Sequence, residues 1–209
     1  MALHAPLPRL YAITDLVQAR AASQADLVAR LVTAGVRLVQ TRGSAVPESA
    51  WCEDLIAATR AARLAGALLI VNDRPDLALL AGADGVHLGD SDLSVSAARR
   101  VLGPERIIGL STHSVEEALE AASLAVDYIA LGPIFDSPTK QTGRMPLGLE
   151  AIAAIRRRLT LPLVAIGGIT LDRAAAVREA GADSVAVISD LYAGDLANRV
   201  GKFLTLLGQ

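Results

Sequence analysis

The chain alternates short apolar runs with longer amphipathic stretches from end to end, and this alternation restricts its fold more than any other feature. The apolar runs are Leu10–Ile13, Leu38–Gln40, Leu68–Val71, Gly85–Leu88, Ile107–Leu110, Tyr128–Leu131, Leu163–Ile166 and Ser184–Ile188. The amphipathic stretches are Gln24–Ala34, Ser49–Leu64, Pro75–Ala81, Ser94–Leu102, Val115–Ala122, Leu149–Leu159, Asp172–Ala180 and Leu196–Leu207. Short apolar runs without polar alternation are typical of parallel strands buried on both faces. Eight such strand–helix units in 209 residues predict a single (β/α)8 TIM barrel over residues 1–209.

A weak internal repeat supports the barrel. Ala81-Gly82-Ala83-Asp84 resembles Ala180-Gly181-Ala182-Asp183, and each word stands where a helix passes into the next strand. Glycine just past a helix is the usual C-terminal signal, so these words predict turns at the face of the barrel that serves stability. A doubly wound open sheet is the alternative architecture, but no G-x-G-x-x-G motif follows the first strand.

Charge and hydropathy indicate which partners the chain takes. Lys and Arg number 20 against 22 Asp and Glu, without a basic stripe, which argues against nucleic acid or an anionic membrane as a partner. No apolar run approaches the ~18 residues of a membrane span, and the N-terminus lacks a signal-peptide pattern. We therefore expect a cytoplasmic protein with small-molecule partners. The sequence leaves the oligomeric state open, and a homo-oligomer is compatible with it.

Polar residues crowd the predicted C-terminal ends of the strands, where TIM barrels carry their chemistry. Taken strand by strand, they are Gln40, Arg42 and Ser44 after the second, Asn72, Asp73 and Arg74 after the third, Asp90 and Asp92 after the fourth, Ser111, Thr112 and His113 after the fifth, Ser137, Thr139 and Lys140 after the sixth, Gly167 and Gly168 after the seventh, and Ile188 and Ser189 after the eighth.

Asp73 and Asp92 follow neighbouring strands, so their carboxylates are placed to share one hard cation. Waters and the phosphate oxygens of a substrate would complete its coordination, which predicts a Mg²⁺ site for a diphosphate. Asp90 is a competing ligand. The alternative is that Asp73 and Asp92 only cap the helices that begin near Pro75 and Ser94.

A second anion site is predicted at Gly167 and Gly168, which lack the Cβ atoms that would keep a phosphate from the backbone. Asp172 is positioned to cap the helix that follows. The alternative is that both glycines only form a tight strand-to-helix turn. Arg42 and Lys140 add positive charge at the same end of the barrel, and hydroxyls from Ser137 and Thr139 add donors. These groups together predict two phosphate-binding sites.

Two histidines lie among these residues. His113 stands at a strand end beside Ser111, where acid/base duty is one interpretation; the other is that it only flanks a helix capped by Thr112 or Ser114. His87 falls inside the fourth strand, where a hydrogen-bonded core histidine is favoured over a catalytic one. No Cys/His cluster suits zinc, and no Ser–His–Asp arrangement can be argued.

Taken in order, the words at the strand ends resemble the thiamine phosphate synthase family and the related thiazole tautomerases. The resemblance covers almost the whole chain. Its words are Leu10-Tyr11-Ala12-Ile13-Thr14-Asp15, Asn72-Asp73-Arg74, Gly85-Val86-His87-Leu88-Gly89, Gly109-Leu110-Ser111-Thr112-His113-Ser114, Gly132-Pro133-Ile134-Phe135, Ile166-Gly167-Gly168-Ile169 and Ile188-Ser189.

The resemblance implies that a pyrimidine-methyl diphosphate is joined to a thiazole phosphate and that pyrophosphate is released. Its implied mechanism is departure of pyrophosphate followed by attack of the thiazole nitrogen on the resulting cation. In the implied site, Mg²⁺ is held by Asp73 and Asp92. The pyrimidine diphosphate is bound by Gln40, Arg42, Asn72, Ser111 and Lys140, of which Arg42, Ser111 and Lys140 act in catalysis. The thiazole phosphate is bound by Ser137, Thr139, Gly168, Ile188 and Ser189.

The chain departs from the family pattern at Ser44, where synthases usually carry a lysine. Ser44 can still contact the diphosphate, but one cation is missing, and a charge-assisted phosphate contact is worth ~1.5–3 kcal/mol. Two alternatives therefore stand beside the synthase. One is a thiazole tautomerase that uses His113, and the other is a non-catalytic regulator that binds ligands of the thiamine pathway. Retention of both Asp73 and Asp92 favours the synthase, because proton transfer needs no metal.

Overall fold

The computed structural model describes residues 6–43, 48–136 and 145–209. Eight parallel strands form a closed barrel in chain order, which confirms the predicted (β/α)8 architecture over the open sheet. The strands are β1 Leu10–Ile13, β2 Leu38–Thr41, β3 Leu68–Asn72, β4 Gly85–Leu88, β5 Ile107–Thr112, β6 Tyr128–Leu131, β7 Leu163–Ile166 and β8 Ser184–Val187. The helices are α1 Gln24–Thr33, α2 Glu48–Leu64, α3 Pro75–Leu80, α4 Val95–Leu102, α5 Val115–Ala121, α6 Gly148–Arg156, α7 Leu171–Glu179 and α8 Leu196–Leu207.

Alternate residues along the strands divide the buried side chains into two cores. The larger core lies between the strands and the surrounding helices and is built from aliphatic side chains such as Leu10 and Val39. The smaller core fills the barrel interior and contains Tyr11, Ile70 and Tyr128. Because side chains alternate in direction along a strand, the residues next to Tyr11 face outward while Tyr11 faces the barrel axis. No helix among the described residues has both the length and the apolar character needed to cross a membrane.

Three aspartates repeat one contact at the N-terminal face of the barrel. Asp84, Asp127 and Asp183 directly precede β4, β6 and β8. The Oδ2 atom of each accepts a hydrogen bond of 2.8–2.9 Å from a backbone N–H near the start of the preceding strand. The donors are Leu69 in β3, Ile108 in β5 and Leu163 in β7. Arg99 and Arg156 donate to Asp127 and Asp183, both at 2.8 Å. Asp84 and Asp183, which end the two Ala-Gly-Ala-Asp words, thus hold neighbouring strands in register, in agreement with the structural role predicted for these words, and Asp127 makes the same contact.

Carboxylates that are distant in sequence hold the N-termini of two helices. Asp54 on α2 accepts hydrogen bonds from the backbone of Gln24 and Ala25 at the start of α1, at 2.7 and 2.9 Å. Asp190 accepts one from the backbone N–H of Leu171 at the start of α7, at 2.8 Å. The prediction that Asp172 caps α7 is therefore wrong: Thr170 occupies the cap position and Asp172 lies in the first turn.

A short 3₁₀ helix, Ser189–Tyr192, separates β8 from α8 and was not predicted. Its Asp190 also pairs with Arg199 of α8, with one Asp190 oxygen 2.6 Å from Nη2. Asp190 therefore ties this short helix to both α7 and α8. The contacts fix the chain at the C-terminal end of β8, where the predicted site residues Ile188 and Ser189 lie.

Candidate functional site

A cavity of about 460 Å³ opens at the C-terminal ends of the strands. Residues of most strands and of the loops that follow them form its wall. The site residues predicted from the sequence that line it are Gln40, Arg42, Asn72, Ser111, His113, Gly168, Ile188 and Ser189. They come from strand ends that are far apart in the chain, and the closed barrel brings them around one space.

Several predicted residues are not placed in this wall. Ser44, Ser137, Thr139 and Lys140 lie outside the described residues. Asp73 and Asp92 are described but do not line the cavity.

Asp73 and Asp92 follow β3 and β4, which pair with each other. Asp73 is exposed, has a positive φ of 64°, and donates its backbone N–H to the carbonyl oxygen of His87 at 2.8 Å. Asp92 Oδ2 accepts a hydrogen bond from the backbone N–H of Gly89 at 2.7 Å. Both aspartates therefore follow neighbouring strands, and the loop after β4 is folded around the Asp92 carboxylate.

The alternative that these aspartates cap helices is wrong. The cap position of α4 belongs to Ser94, whose hydroxyl accepts from the backbone N–H of Ala97. The cap position of α3 belongs to Arg74 and carries no side-chain cap, with Pro75 removing one of the N–H groups that would need one. In the described parts of the chain, no group of three or more His, Cys, Asp or Glu side chains is arranged to hold a metal ion.

Asp73 and Asp92 suit Mg²⁺ by the chemistry of their ligand atoms. Carboxylate oxygens are the protein ligands that this ion prefers, and one or two of them are sufficient when water and substrate phosphates supply the rest. Among the described residues, the hydrogen bond to Asp92 comes from Gly89 and falls on Oδ2 rather than on Oδ1. Asp90 is engaged differently, with Oδ2 3.6 Å from His113 Nε2.

The loop after β7 is shaped by its two glycines. Gly167 and Gly168 have φ values of 100° and 62°, a region that side-chain-bearing residues rarely adopt. A Cβ on Gly167 would lie 2.6 Å from Cα of Pro133, and one on Gly168 would lie 2.9 Å from Cβ of Phe135. The glycines thus form a tight turn that packs against the chain after β6, and the anion site predicted at the same turn stays a prediction. Both also line the cavity, so their backbone remains accessible to an anion.

The backbone of Arg42 is held by side chains from the loop after β1 and from the start of α1. Its N–H donates to Thr14 Oγ1 at 3.0 Å, and its carbonyl oxygen accepts from the buried Gln24 amide at 3.3 Å. Gln24 also donates to the carbonyl of Gly43 at 3.0 Å. These contacts orient the chain as it leaves β2 and present the Arg42 side chain to the cavity.

His113 lies at the edge of the cavity with one ring nitrogen committed. Its Nδ1 donates to the carbonyl oxygen of Gly132 at 2.7 Å, because a carbonyl can only accept. Ser114 caps α5 through the N–H of Glu117, while Glu117 Oε2 accepts from the backbone N–H of His113 at 2.7 Å. His113 thus flanks a helix capped by Ser114, as one interpretation has it. It also lines the cavity, where the acid/base role of the other interpretation stays a prediction.

Sequence reasoning did not find a buried hydrogen-bonded chain below the cavity. Gln40 Nε2 donates to Tyr11 Oη, Tyr11 Oη bonds Tyr128 Oη, and Tyr128 Oη bonds His87 Nδ1, each at 2.9 Å. His87 Nε2 then bonds Ser111 Oγ at 2.9 Å. His87 is a hydrogen-bonded core histidine, as favoured, but it also lines the cavity. Burial raises the pKa of both tyrosine hydroxyls above the ordinary value, so both stay protonated.

Sequence reasoning also missed Arg173, in the first turn of α7. Its side chain lines the cavity, its Nη1 donates to the carbonyl of Gly168 at 2.8 Å, and its guanidinium carbon lies 4.7 Å from the ring centroid of Phe135. Its place in the first turn of the helix that follows the two glycines is the sequence signal that could have indicated it. Arg173 places a positive charge beside the glycine turn.

Comparison with known proteins gives a consistent result. The family profile described as "Thiamine monophosphate synthase" matches residues 10–191. The thiamine-phosphate synthase of Koribacter versatilis is 41% identical over 99% of this chain and 99% of its own, and that of Methanoculleus marisnigri is 46% identical over 86% of this chain and 85% of its own. The solved structure of thiamine phosphate pyrophosphorylase from Pyrococcus furiosus is 34% identical, has a TM-score of 0.86, and is matched over 96% of this chain and 95% of its own.

Proposed function

The chain belongs to the thiamine monophosphate synthase family, and from this membership we propose that it condenses an aminopyrimidine-methyl diphosphate with a thiazole phosphate or its carboxylate. With the thiazole phosphate the products are thiamine phosphate and pyrophosphate, and with its carboxylate CO₂ is released as well. The observation that carries the proposal is the cavity itself, which gathers polar side chains from both halves of the barrel around one space. A reaction that joins two phosphorylated substrates needs two such groups of side chains facing each other.

The half of the cavity formed by β2, β3 and β5 suits the pyrimidine diphosphate. Gln40 and Asn72 offer amides for the heterocycle, Ser111 offers a hydroxyl, and Arg42 offers a guanidinium that can hold two phosphate oxygens at once. Ser44 and Lys140 complete this group in the proposal.

The half formed by the ends of β7 and β8 suits the thiazole phosphate. Gly168 presents backbone without a Cβ atom, and Ser189 presents a hydroxyl beside Ile188. Barrels commonly hold phosphate at this place. Ser137 and Thr139 are proposed to add hydroxyl donors from the loop after β6.

Asp73 and Asp92 are proposed to hold Mg²⁺. The ion would neutralise charge on the diphosphate and so make it a better leaving group. All other contributions to substrate binding and catalysis come from the protein's own residues.

The reaction breaks the bond between the pyrimidine methylene carbon and the diphosphate oxygen, and pyrophosphate departs with the electron pair. The thiazole nitrogen then attacks the pyrimidine-methyl cation and forms the new C–N bond. Arg42 and Lys140 stabilise the negative charge that develops on the leaving group. Ser111 donates its hydrogen bond to the pyrimidine ring and so helps to position the methylene carbon. The walls of the cavity hold the thiazole nitrogen in line with the methylene carbon, which replaces a bimolecular encounter by a positioned one. No protein nucleophile or strong base is required.

The test is release of pyrophosphate when purified protein is incubated with both substrates, with and without Mg²⁺. We expect release only when both substrates and the ion are present, and its loss in Asp73→Ala. Asp76→Ala is the matched control, because Asp76 is another exposed carboxylate three residues along the chain, and it pairs with Arg74 at 2.7 Å. Turnover by Asp73→Ala equal to that of the unaltered protein would reject the metal assignment.

A thiazole tautomerase is the second candidate, favoured by one observation. His113 faces the cavity with Nδ1 held by Gly132, and its Nε2, 3.6 Å from Asp90 Oδ2, is the ring nitrogen that would exchange a proton with a ligand. This candidate predicts isomerisation of the thiazole carboxylate phosphate without a metal and its collapse in His113→Ala. Absence of both reactions would leave a ligand-binding regulator.

A further inference from the structure

We propose that the buried chain Gln40–Tyr11–Tyr128–His87–Ser111 fixes the hydrogen-bonding polarity of the cavity, so that Gln40 presents an acceptor and Ser111 a donor to the aminopyrimidine. Tyr11, Tyr128 and His87 are positioning residues, since they act through Gln40 and Ser111. The inference deepens the proposed function and rests on it for the identity of the ligand.

The geometry supports one continuous chain. Four consecutive hydrogen bonds of 2.9 Å connect side chains from β2, β1, β6, β4 and β5. The chain thus crosses the barrel interior from the end of β2 to the end of β5. The rings of His87 and Tyr128 are stacked with an interplanar angle of 15°, and those of Tyr11 and Tyr128 meet edge to face at 79°. Tyr11 and Tyr128 are at most 1% exposed and His87 is 7% exposed, so the hydrogen bond between the two phenols is shielded from water.

The direction of the hydrogen bonds along this chain follows from the number of protons that each group can donate. A neutral phenol has one proton to donate, and both tyrosines remain neutral because burial disfavours the phenolate. Gln40 Nε2 donates to Tyr11, so Tyr11 donates to Tyr128, and Tyr128 donates to His87 Nδ1. His87 Nδ1 is then an acceptor, and the ring proton lies on Nε2 and is donated to Ser111 Oγ. With Gln40 Nε2 as the first donor, this is the assignment in which the proton of each phenol finds an acceptor within the chain.

The two ends of the hydrogen-bonded chain therefore present opposite groups to the cavity, an acceptor at Gln40 and a donor at Ser111. With its Nε2 on Tyr11, Gln40 keeps Oε1 as an acceptor toward the cavity. Ser111 already accepts from His87, so its own proton is available for donation into the cavity. An aminopyrimidine offers an amino donor and ring-nitrogen acceptors, which complement this pair. If the chain ran in the opposite direction, Gln40 would offer only donors and Ser111 only an acceptor, and the recognition would be lost.

The structural part of the inference is tested without any ligand. The protein has three histidines, so ¹⁵N-histidine labelling gives few signals, and His87→Gln identifies those of His87. We expect His87 in the unaltered protein to be neutral with its proton on Nε2. In Tyr128→Phe the Nδ1 atom loses its donor and both tautomers become populated. A proton on Nδ1 in the unaltered protein, or a tautomer unchanged in Tyr128→Phe, would overturn the proposed direction.

Tyr192→Phe is the matched control for this measurement. Tyr192 Oη donates to the carbonyl of Ile13 at 2.9 Å and accepts from the backbone N–H of Asp15 at 3.3 Å. Like Tyr128→Phe, the variant therefore loses two phenol hydrogen bonds, here partly buried and away from the Gln40–Ser111 chain. We expect its His87 signals to match those of the unaltered protein. A change of tautomer in Tyr192→Phe as large as in Tyr128→Phe would contradict a specific role for the chain.

The functional part of the inference is tested by comparing how each variant changes KM for the two substrates. Tyr11→Phe and Tyr128→Phe should each raise KM for the aminopyrimidine-methyl diphosphate roughly tenfold, the effect of losing one oriented hydrogen bond, and leave KM for the thiazole phosphate unchanged. An equal rise in both KM values, or none, would reject the positioning role. If the unaltered protein releases no pyrophosphate, the proposed function fails, while the histidine tautomer still decides the direction of the chain.

Discussion

Gly109→Ala tests whether the barrel interior is filled as the structure indicates. Gly109 lies on β5, and a Cβ added to it would overlap the ring and hydroxyl of Tyr128. Tyr128 is fully buried and hydrogen-bonded to Tyr11 and His87, so its ring has no solvent-filled space into which to move. A glycine at this position therefore makes room for the central tyrosine of the buried chain.

The magnitude follows from two contributions. Forcing one methyl group into a packed core costs about 1–3 kcal/mol. Displacing the ring also weakens two buried hydrogen bonds, each worth about 0.5–1.5 kcal/mol. The free energy of unfolding should fall by about 2–6 kcal/mol, which for a chain of this length lowers Tm by roughly 5–20 °C.

Gly201→Ala is the matched control, because it makes the same chemical change in the interior of α8. A Cβ there meets nothing within 4 Å, and the φ of Gly201 is not in the left-handed region. Alanine is the better helix former, so this variant should gain about 0.5–1 kcal/mol. Urea unfolding followed by circular dichroism measures both variants. Equal stability of Gly109→Ala and the unaltered protein would refute the placement of Tyr128 against β5.

Three further predictions follow from the same contacts. Asp127→Ala should lower the free energy of unfolding by about 1–3 kcal/mol, because the buried N–H of Ile108 loses its acceptor, and urea unfolding would show this. Arg173→Gln should raise KM for the thiazole phosphate about 2- to 10-fold in a pyrophosphate-release assay, because one exposed cation beside the glycine turn is removed. Ser44→Lys should tighten binding of the pyrimidine diphosphate about 10- to 150-fold in calorimetry, by restoring a charge-assisted contact, and unchanged affinity would mean that another residue already makes it.

The sequence determined the architecture of this protein because the relevant signal is local. The apolar runs and the amphipathic stretches between them reproduce the strands and helices with small shifts at their ends, and glycines past the helices mark the turns. Strand-end residues such as Gln40, Asn72 and Ser111 could be assigned to one place for the same reason. Once the barrel is accepted, parallel topology puts every C-terminal strand end on one face.

The tertiary structure decided contacts between residues that no sequence spacing connects. Asp190, rather than Asp172, holds the start of α7, since the closed barrel brings the ends of β7 and β8 together. Tyr11, Tyr128 and His87 lie on different strands, and only the closed barrel points all three toward one axis. Local propensity and periodicity specify which residues face inward, but the pairing of inward-facing polar atoms depends on the packing of the whole barrel.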